Sequence, residues 1–277
     1  MDMENLSLSE QQLTPASFDQ RLRQCIEHSG SLLCVGLDPR SALANGSGEP
    51  LVDFCRRVID ATARYVVAYK ANSAFFEASG VAGLSDLAKV MAYRPDNCIM
   101  ILDAKRGDLG STAVAYAQAA FRVQHADAVT VNPYLGHDAV APFLGDPAHG
   151  AFILCHTSNP GAQDFQSLNV GGRPLYMEVA RQALGWNALG NVGLVVGATY
   201  PKALAAVREL APDIPFLVPG IGAQGGDLEA ALAAGLDGRG MGLVVNSSRD
   251  IIYAAEPGTA AQRLRDSINT IRERRRP

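Results

Sequence analysis

The chain has 277 residues, 48% of them hydrophobic, and a net charge of −4. That is enough apolar material for one large α/β domain or two small ones. The acidic balance speaks against a nucleic-acid partner, and no apolar run reaches the length of a membrane span.

Residues 1–16 are polar and acidic, without the basic and apolar regions of a secretion signal, and read as a loose leader. A single domain is expected over 17–277. Five cysteines (Cys25, Cys34, Cys55, Cys98, Cys155) form no C-x-x-C pair. Most lie in apolar segments, as small buried hydrophobes do. An odd count without metal spacing fits a reducing, cytoplasmic setting.

Phe18, Leu22, Cys25 and Ile26 recur at helical spacing, which predicts a helix over 18–28 with Gly30 as its stop. Leu32 to Leu37 is a short apolar run closed by Asp38-Pro39, a first strand with an acid at its C-terminal end. A loop and a helix over 51–63 follow. Tyr65 to Tyr69 reads as the second strand with Lys70 at its end, then comes a helix over 84–92. Cys98 to Asp103 is the third strand. A helix over about 111–125 is expected behind it, with Asp108 or Ser111 as cap. The fourth strand is 128–131 and the fifth 151–155, the latter leading into His156-Thr157-Ser158-Asn159-Pro160-Gly161. Residues 161–173 are polar and glycine-rich, and predict a long surface loop before a helix over 175–184. Strand 192–196, a helix over 201–210 opening on proline, and strand 215–218 come next. Gly220 to Gly226 leads to a helix capped by Asp227 and stopped by Gly235. Strand 242–245 precedes Asn246-Ser247-Ser248-Arg249, and helical segments over 251–255 and 259–274 finish the chain. The cluster Arg272, Arg274, Arg275, Arg276 reads as a solvated helix end whose cations complement the negative pole.

Eight strand–helix units without a linker predict a single (β/α)8 TIM barrel rather than a doubly wound sheet. A barrel gathers its eight strand ends around one mouth, and the notable polar residues all follow predicted strands: Asp38, Lys70, Asp103, Lys105, Asn132, Ser158, Gly220–Gly226 and Arg249. Asp103 and Lys105, two apart on an extended strand, share a face, and Asp108 follows past Gly107. An Asp-x-Lys pair is often only a structural ion pair. Its place where an apolar strand opens into a loop is where ligands bind in such folds. Lys70, Asp103, Lys105 and Asp108 alternate in sign, so each cation can hold an anion ionised beside it. No His or Cys set has metal-ligand spacing, so chemistry by fixed charges, without metal or organic cofactor, is expected.

Gly220-x-Gly222-x-x-Gly225 has the letters of a dinucleotide fingerprint, but it follows strand seven of eight and lacks a following ribose-binding acid. A phosphate site fits better. Barrels often bind phosphate at the loops after strands seven and eight, where glycines let backbone N–H groups approach the anion. Arg249 would add a charged fork and Gln224 would close over the group.

Asp103-x-Lys105-x-x-Asp108, with Gly36-Leu37-Asp38-Pro39, Tyr69-Lys70, Thr157-Ser158-Asn159-Pro160, Pro219-Gly220-Ile221-Gly222-Ala223-Gln224-Gly225-Gly226 and Asn246-Ser247-Ser248-Arg249, closely resembles the orotidine 5'-phosphate decarboxylase family, in its longer bacterial branch. The resemblance covers roughly residues 18–256. It implies cofactor-free decarboxylation of orotidine 5'-phosphate to uridine 5'-phosphate. Carried over by position, Lys105 would protonate C6 of the pyrimidine and Asp103 would lie near the departing carboxylate. Lys70 would pair with Asp103 and touch the ribose, Asp38 would bind a ribose hydroxyl, and Ser158 would read the pyrimidine edge. Gln224 and Arg249, with the backbone of Pro219, Gly220 and Gly222, would hold the phosphate. Asp108 and Thr112 would reach the neighbouring subunit's site, which implies a homodimer. His156 reads as a packing residue. The competing readings are a related metal-dependent sugar-phosphate decarboxylase, which needs further acidic ligands, and a non-catalytic nucleotide-binding barrel, which would lack part of the charged array.

Overall fold

The computed structural model describes residues 16–40, 48–221 and 226–275. The leader over 1–16 therefore lies, except for its last residue, outside the described residues, as do Gly222 and Gln224.

Short apolar runs separated by amphipathic helices leave the strands one way to bury both faces. They pair in parallel and let the helices cover them. The eight strands are β1 (Leu33–Leu37), β2 (Ala68–Asn72), β3 (Ile99–Arg106), β4 (Ala128–Val131), β5 (Gly150–His156), β6 (Val192–Val196), β7 (Phe216–Val218) and β8 (Leu243–Ser247). They pair in sequence order into a closed parallel barrel, with β1 meeting β8 at Leu33–Val245. The main outer helices are α1 (Phe18–Ser29), α2 (Leu51–Thr62), α3 (Gly80–Ala92), α4 (Gly110–Gln118), α5 (Leu175–Trp186), α6 (Pro201–Leu210), α7 (Leu228–Gly235) and α8 (Pro257–Glu273). None of the described helices is long and apolar enough to cross a membrane.

The N-terminal end of the barrel is closed and built for stability. Ser17 and Gln20 form a capping box that starts α1. Phe18 then packs edge-on against Phe152 at 5.8 Å. A Cβ at Gly150 would lie 2.4 Å from the Phe18 ring, so only glycine fits there. Asp127, at the foot of β4, pairs with Arg21 and Arg94 and accepts from the Met100 N–H at 2.9 Å. The five cysteines are free and buried. Burial pushes the thiols of Cys34, Cys55 and Cys155 up to about 12, which leaves them inert.

Four expectations are corrected. The second strand starts three residues later than its apolar run suggests. Tyr65 closes a 3-10 turn, and Lys70 sits mid-strand, paired in register with Gly36 and Ile101. A lysine whose partner is a buried carboxylate reads in sequence as a strand end. Residues 161–173 are not plain loop: they hold a short helix, Ala162–Phe165, and a two-stranded hairpin, Asn169–Val170 with Arg173–Pro174. The cap of α4 is neither Asp108 nor Ser111; Leu109 holds that position without a side-chain bond. The last helix does not end in a purely solvated arginine cluster. Arg272 is buried, and its Nε donates to the Gly240 carbonyl at 2.8 Å. Its aliphatic stem covers apolar surface while its head satisfies a loop carbonyl.

Candidate active site

The C-terminal ends of the strands surround a cavity of about 570 Å³, of a size to enclose most of a small ligand. Its floor is apolar, with Leu154, Val195 and Leu217, and one wall carries charge.

The charged wall is built by β1, β2 and β3. Asp103 is the hub. Its Oδ2 accepts from Lys70 Nζ at 2.8 Å, and its Oδ1 from Lys105 Nζ at 2.7 Å. Lys70 Nζ also lies 3.9 Å from Asp38 Oδ1. Lys70 and Asp103 are buried, whereas the Lys105 side chain is 48% exposed toward the cavity mouth. Burial alone would neutralise the Lys70 ammonium, but Asp103 and Asp38 outweigh it and hold its pKa above the ordinary lysine value. Burial likewise opposes ionisation of Asp103, and the two lysines reverse this, keeping it well below the usual carboxylate range. The buried Lys70–Asp103 pair is thus held in its ionised form, with Asp38 and Lys105 at either end of the row.

The backbone is bent to make this row. Three residues of β3, Asp103 to Lys105, stand opposite the single β4 residue Thr130, between the pairs Leu102–Val129 and Arg106–Val131. Lys105 takes a left-handed φ of +48°, a conformation that costs a non-glycine residue free energy and clusters at functional sites. The bulge brings Asp103 and Lys105 to one carboxylate contact.

Asp38 is fixed from the adjacent strand end, after β8. Ser248 Oγ donates to its Oδ2 at 2.7 Å, while Asp38 Oδ1 is buried and accepts no hydrogen bond among the described residues. Gly36 makes this approach possible, since a Cβ there would come within 1.9 Å of Ser248 Oγ.

The opposite wall follows β5. Thr157 and Ser158 line the cavity. Gln166, from the segment after β5, accepts from the Thr157 N–H at 2.8 Å through Oε1 and donates to Thr157 Oγ1 at 2.9 Å through Nε2. Gly197 lets Ser158 close in, because a Cβ at 197 would lie 2.8 Å from the Ser158 Cα. His156 is packed, as expected, between the rings of Tyr176 and Tyr200. Burial lowers its pKa and favours the neutral ring, and it does not line the cavity.

Pro219, Gly220, Ile221 and Arg249 line the end of the cavity between β7 and β8. Gly220 has φ +100°, and its carbonyl accepts from the Gly226 N–H at 3.0 Å, tying together the two ends of the glycine-rich loop.

The structure thus brings together Asp38, Lys70, Asp103, Lys105, Ser158, Pro219, Gly220 and Arg249 around one cavity. Asp108 and Thr112 do not line it. Asp108 Oδ1 accepts from the Leu109 N–H at 2.7 Å, and Thr112 lies exposed in the first turn of α4. Among the described residues no group of three or more His, Cys, Asp or Glu is placed to hold a metal ion. Thr130, Ser248, Gln166 and Asn246 also line the cavity, and the sequence assigns none of them a role. Ser248 and Asn246 belong to the Asn246-Ser247-Ser248-Arg249 motif, beside Arg249. Thr130 sits inside an apolar strand and Gln166 inside an apparent loop, where no spacing rule marks them.

The model of the Orotidine 5'-phosphate decarboxylase / HUMPS family matches residues 31–264. The chain belongs to this family. The match runs from before Asp38 to beyond Arg249, so it contains every residue of the cavity wall. The chain is 50% identical over 266 residues to an orotidine 5'-phosphate decarboxylase of Roseiflexus castenholzii, covering 91% of this chain and 97% of that protein. Among solved structures, Leishmania donovani OMP decarboxylase superposes with a TM-score of 0.86 at 48% identity, over 93% of this chain and 99% of that one. Leishmania donovani UMP synthase gives a TM-score of 0.88 at 50% identity over 93% of this chain, which spans 57% of that longer chain. The similarity to the Roseiflexus castenholzii protein and to the Leishmania donovani decarboxylase extends over nearly the whole barrel, cavity included.

Proposed function

We propose that the protein decarboxylates orotidine 5'-phosphate to uridine 5'-phosphate, the last step of de novo pyrimidine nucleotide synthesis. The observation that carries this reading is the row of alternating acidic and basic side chains Asp38–Lys70–Asp103–Lys105 along one wall of a cavity whose far end carries Gly220 and Arg249.

In the reaction the bond between C6 and its carboxylate breaks heterolytically. Carbon dioxide leaves, the electron pair stays on C6, and a proton then fills that position. Lys105 is the catalytic acid. Its ammonium faces the developing negative charge, stabilises it, and delivers the proton, afterwards recovering one from solvent. Because the charge on C6 exists only after the bond has stretched, this contact favours the transition state over bound substrate. Asp103 holds Lys105 and Lys70 in place and lies beside the departing carboxylate. The apolar floor of Leu154, Val195 and Leu217 suits neutral carbon dioxide better than a carboxylate. Lys70 and Asp38 bind the ribose. Asp38 Oδ1, a buried acceptor without a donor among the described residues, suits a ribose hydroxyl. Ser158 reads the pyrimidine edge. Arg249, Gln224 and the backbone of Pro219, Gly220 and Gly222 hold the phosphate, whose binding energy, remote from the scission, positions the base. No metal or organic cofactor enters this scheme.

The assembly is a homodimer in which Asp108 and Thr112 complete the neighbouring site. Two observations support this. Both residues lie outside their own chain's cavity, and exposed apolar side chains flank them on the segments after β3 and β4: Leu109, Val114, Tyr134 and Leu135. Exposed large apolar side chains on neighbouring segments suit a protein contact.

Purified protein should release carbon dioxide and uridine 5'-phosphate from orotidine 5'-phosphate in a one-to-one ratio, and failure to form uridine 5'-phosphate overturns the assignment. For the shared site, Lys105→Ala and Asp108→Ala homodimers, each inactive, should regain up to roughly a quarter of wild-type activity when subunits are exchanged, as one intact site forms per mixed dimer. Absence of any regain refutes the exchange of Asp108.

A further inference from the structure

The bulge in β3 leaves Thr130 opposite three residues, and its hydroxyl is bonded on both sides. The Lys105 backbone N–H donates to Thr130 Oγ1 at 2.9 Å, and Thr130 Oγ1 donates to Asp103 Oδ1 at 2.9 Å. Thr130 is 1% exposed and lies at the cavity floor.

We infer that Thr130 is a positioning residue for decarboxylation, locking the Asp103 carboxylate and the strained Lys105 backbone to each other through one oriented hydroxyl.

The direction of both bonds is forced by chemistry. A backbone N–H can only donate, so Oγ1 must accept from Lys105. The hydroxyl has one proton, and it points at Asp103 Oδ1, the same oxygen that accepts from Lys105 Nζ at 2.7 Å. A donor aimed at that oxygen is satisfied only while Asp103 is an acceptor, so the threonine favours the ionised carboxylate. It also gives the Lys105 N–H a partner where the bulge takes the ladder bond away. A part-buried N–H left without a partner would penalise the left-handed conformation that points the Lys105 ammonium toward its proton acceptor.

Val has nearly the same shape as Thr without the hydroxyl. Thr130 touches neither the ribose nor the phosphate end in this arrangement. The consequence belongs to the chemical step rather than to substrate binding. A displacement of the reacting ammonium by about an ångström is enough to cost roughly 100-fold in rate.

This inference rests on the decarboxylase reading, and the test separates the two. Steady-state decarboxylation of orotidine 5'-phosphate is measured for wild type, Thr130→Val, Thr130→Ala and Thr130→Ser, with binding of uridine 5'-phosphate measured by calorimetry. If wild type turns over, Thr130→Val should lose about 100-fold in kcat, while KM and uridine 5'-phosphate affinity change less than about threefold. Thr130→Ser, which keeps the hydroxyl, should restore most of that rate. Thr130→Val with wild-type kcat overturns the inference, as does a loss that falls on KM alone. Equal loss in Thr130→Ser and Thr130→Val overturns it as well, since shape rather than the hydroxyl would then matter. Should Thr130→Val not fold, the kcat ratio of Thr130→Ser to Thr130→Ala decides the matter, a ratio near one refuting the role of the hydroxyl. Absence of turnover in wild type instead refutes the decarboxylase reading itself.

Discussion

Lys105→Ala separates chemistry from binding. The residue is assigned two tasks, proton delivery to C6 and electrostatic stabilisation of the carbanion. General acid catalysis contributes about 10²–10⁴ in rate, and loss of one donor aimed at developing charge costs about 10²–10³. Together the expected fall in kcat is about 10⁴–10⁷, or roughly 5–10 kcal/mol of transition-state stabilisation. The structure also limits what else the change disturbs. The Lys105 side chain is 48% exposed, so its ion pair contributes at most about 1 kcal/mol to stability. Asp103 keeps its bonds from Lys70 and Thr130. Thermal unfolding should therefore shift by only a few degrees. The phosphate end of the cavity is untouched, and uridine 5'-phosphate should bind within about tenfold of wild type, or 1.4 kcal/mol. The assay is product formation under single-turnover conditions, followed long enough to see a slow rate, alongside calorimetric titration with uridine 5'-phosphate. A kcat within tenfold of wild type refutes the role of Lys105. A collapse of product affinity together with rate refutes the separation of the two ends of the site.

Arg249→Ala should weaken uridine 5'-phosphate binding by about 2 kcal/mol or more, the scale of a hydrogen bond to a charged group, with unchanged affinity in a titration removing it from the phosphate site. Acid should act on the fold through His156. Burial lowers its folded pKa from 6.5, so its neutral form stabilises the protein fully above the unfolded value. That stability is lost as pH falls below it, by up to about 1.4 kcal/mol per pH unit. Denaturant titrations of wild type and His156→Phe between pH 7 and 5 should show a shallower slope for the variant, and parallel slopes contradict the assignment.

The barrel was legible because its evidence is periodic. Eight apolar runs each end in polar residues, and seven of the eight strands start within one residue of the expected bounds, the fourth and sixth matching them at both ends. Lys70 shows the limit of that signal. Hydrophobicity cannot distinguish a lysine that ends a strand from one that lies within it and points at a buried carboxylate 2.8 Å away. The same limit hides Thr130, whose importance comes from a backbone bulge that no residue pattern announces. The hairpin after β5 looked like loop because its strands are two residues each, too short for alternation to register. The site residues were visible for a different reason. They sit at strand ends and carry charge, and the barrel converts that sequence regularity into spatial convergence. What sequence position alone could not separate was Asp108, which shares a motif with Asp103 and Lys105 yet lies outside the cavity they line.

The most direct measurement is the loss of orotidine 5'-phosphate absorbance with purified protein after exhaustive chelation. Rapid loss with uridine 5'-phosphate as product, unaffected by the chelator, is the expected result. Activity that vanishes on chelation and returns with a divalent metal would contradict a mechanism built on the Lys70–Asp103–Lys105 charges alone, and no loss under either condition would contradict the decarboxylase assignment altogether.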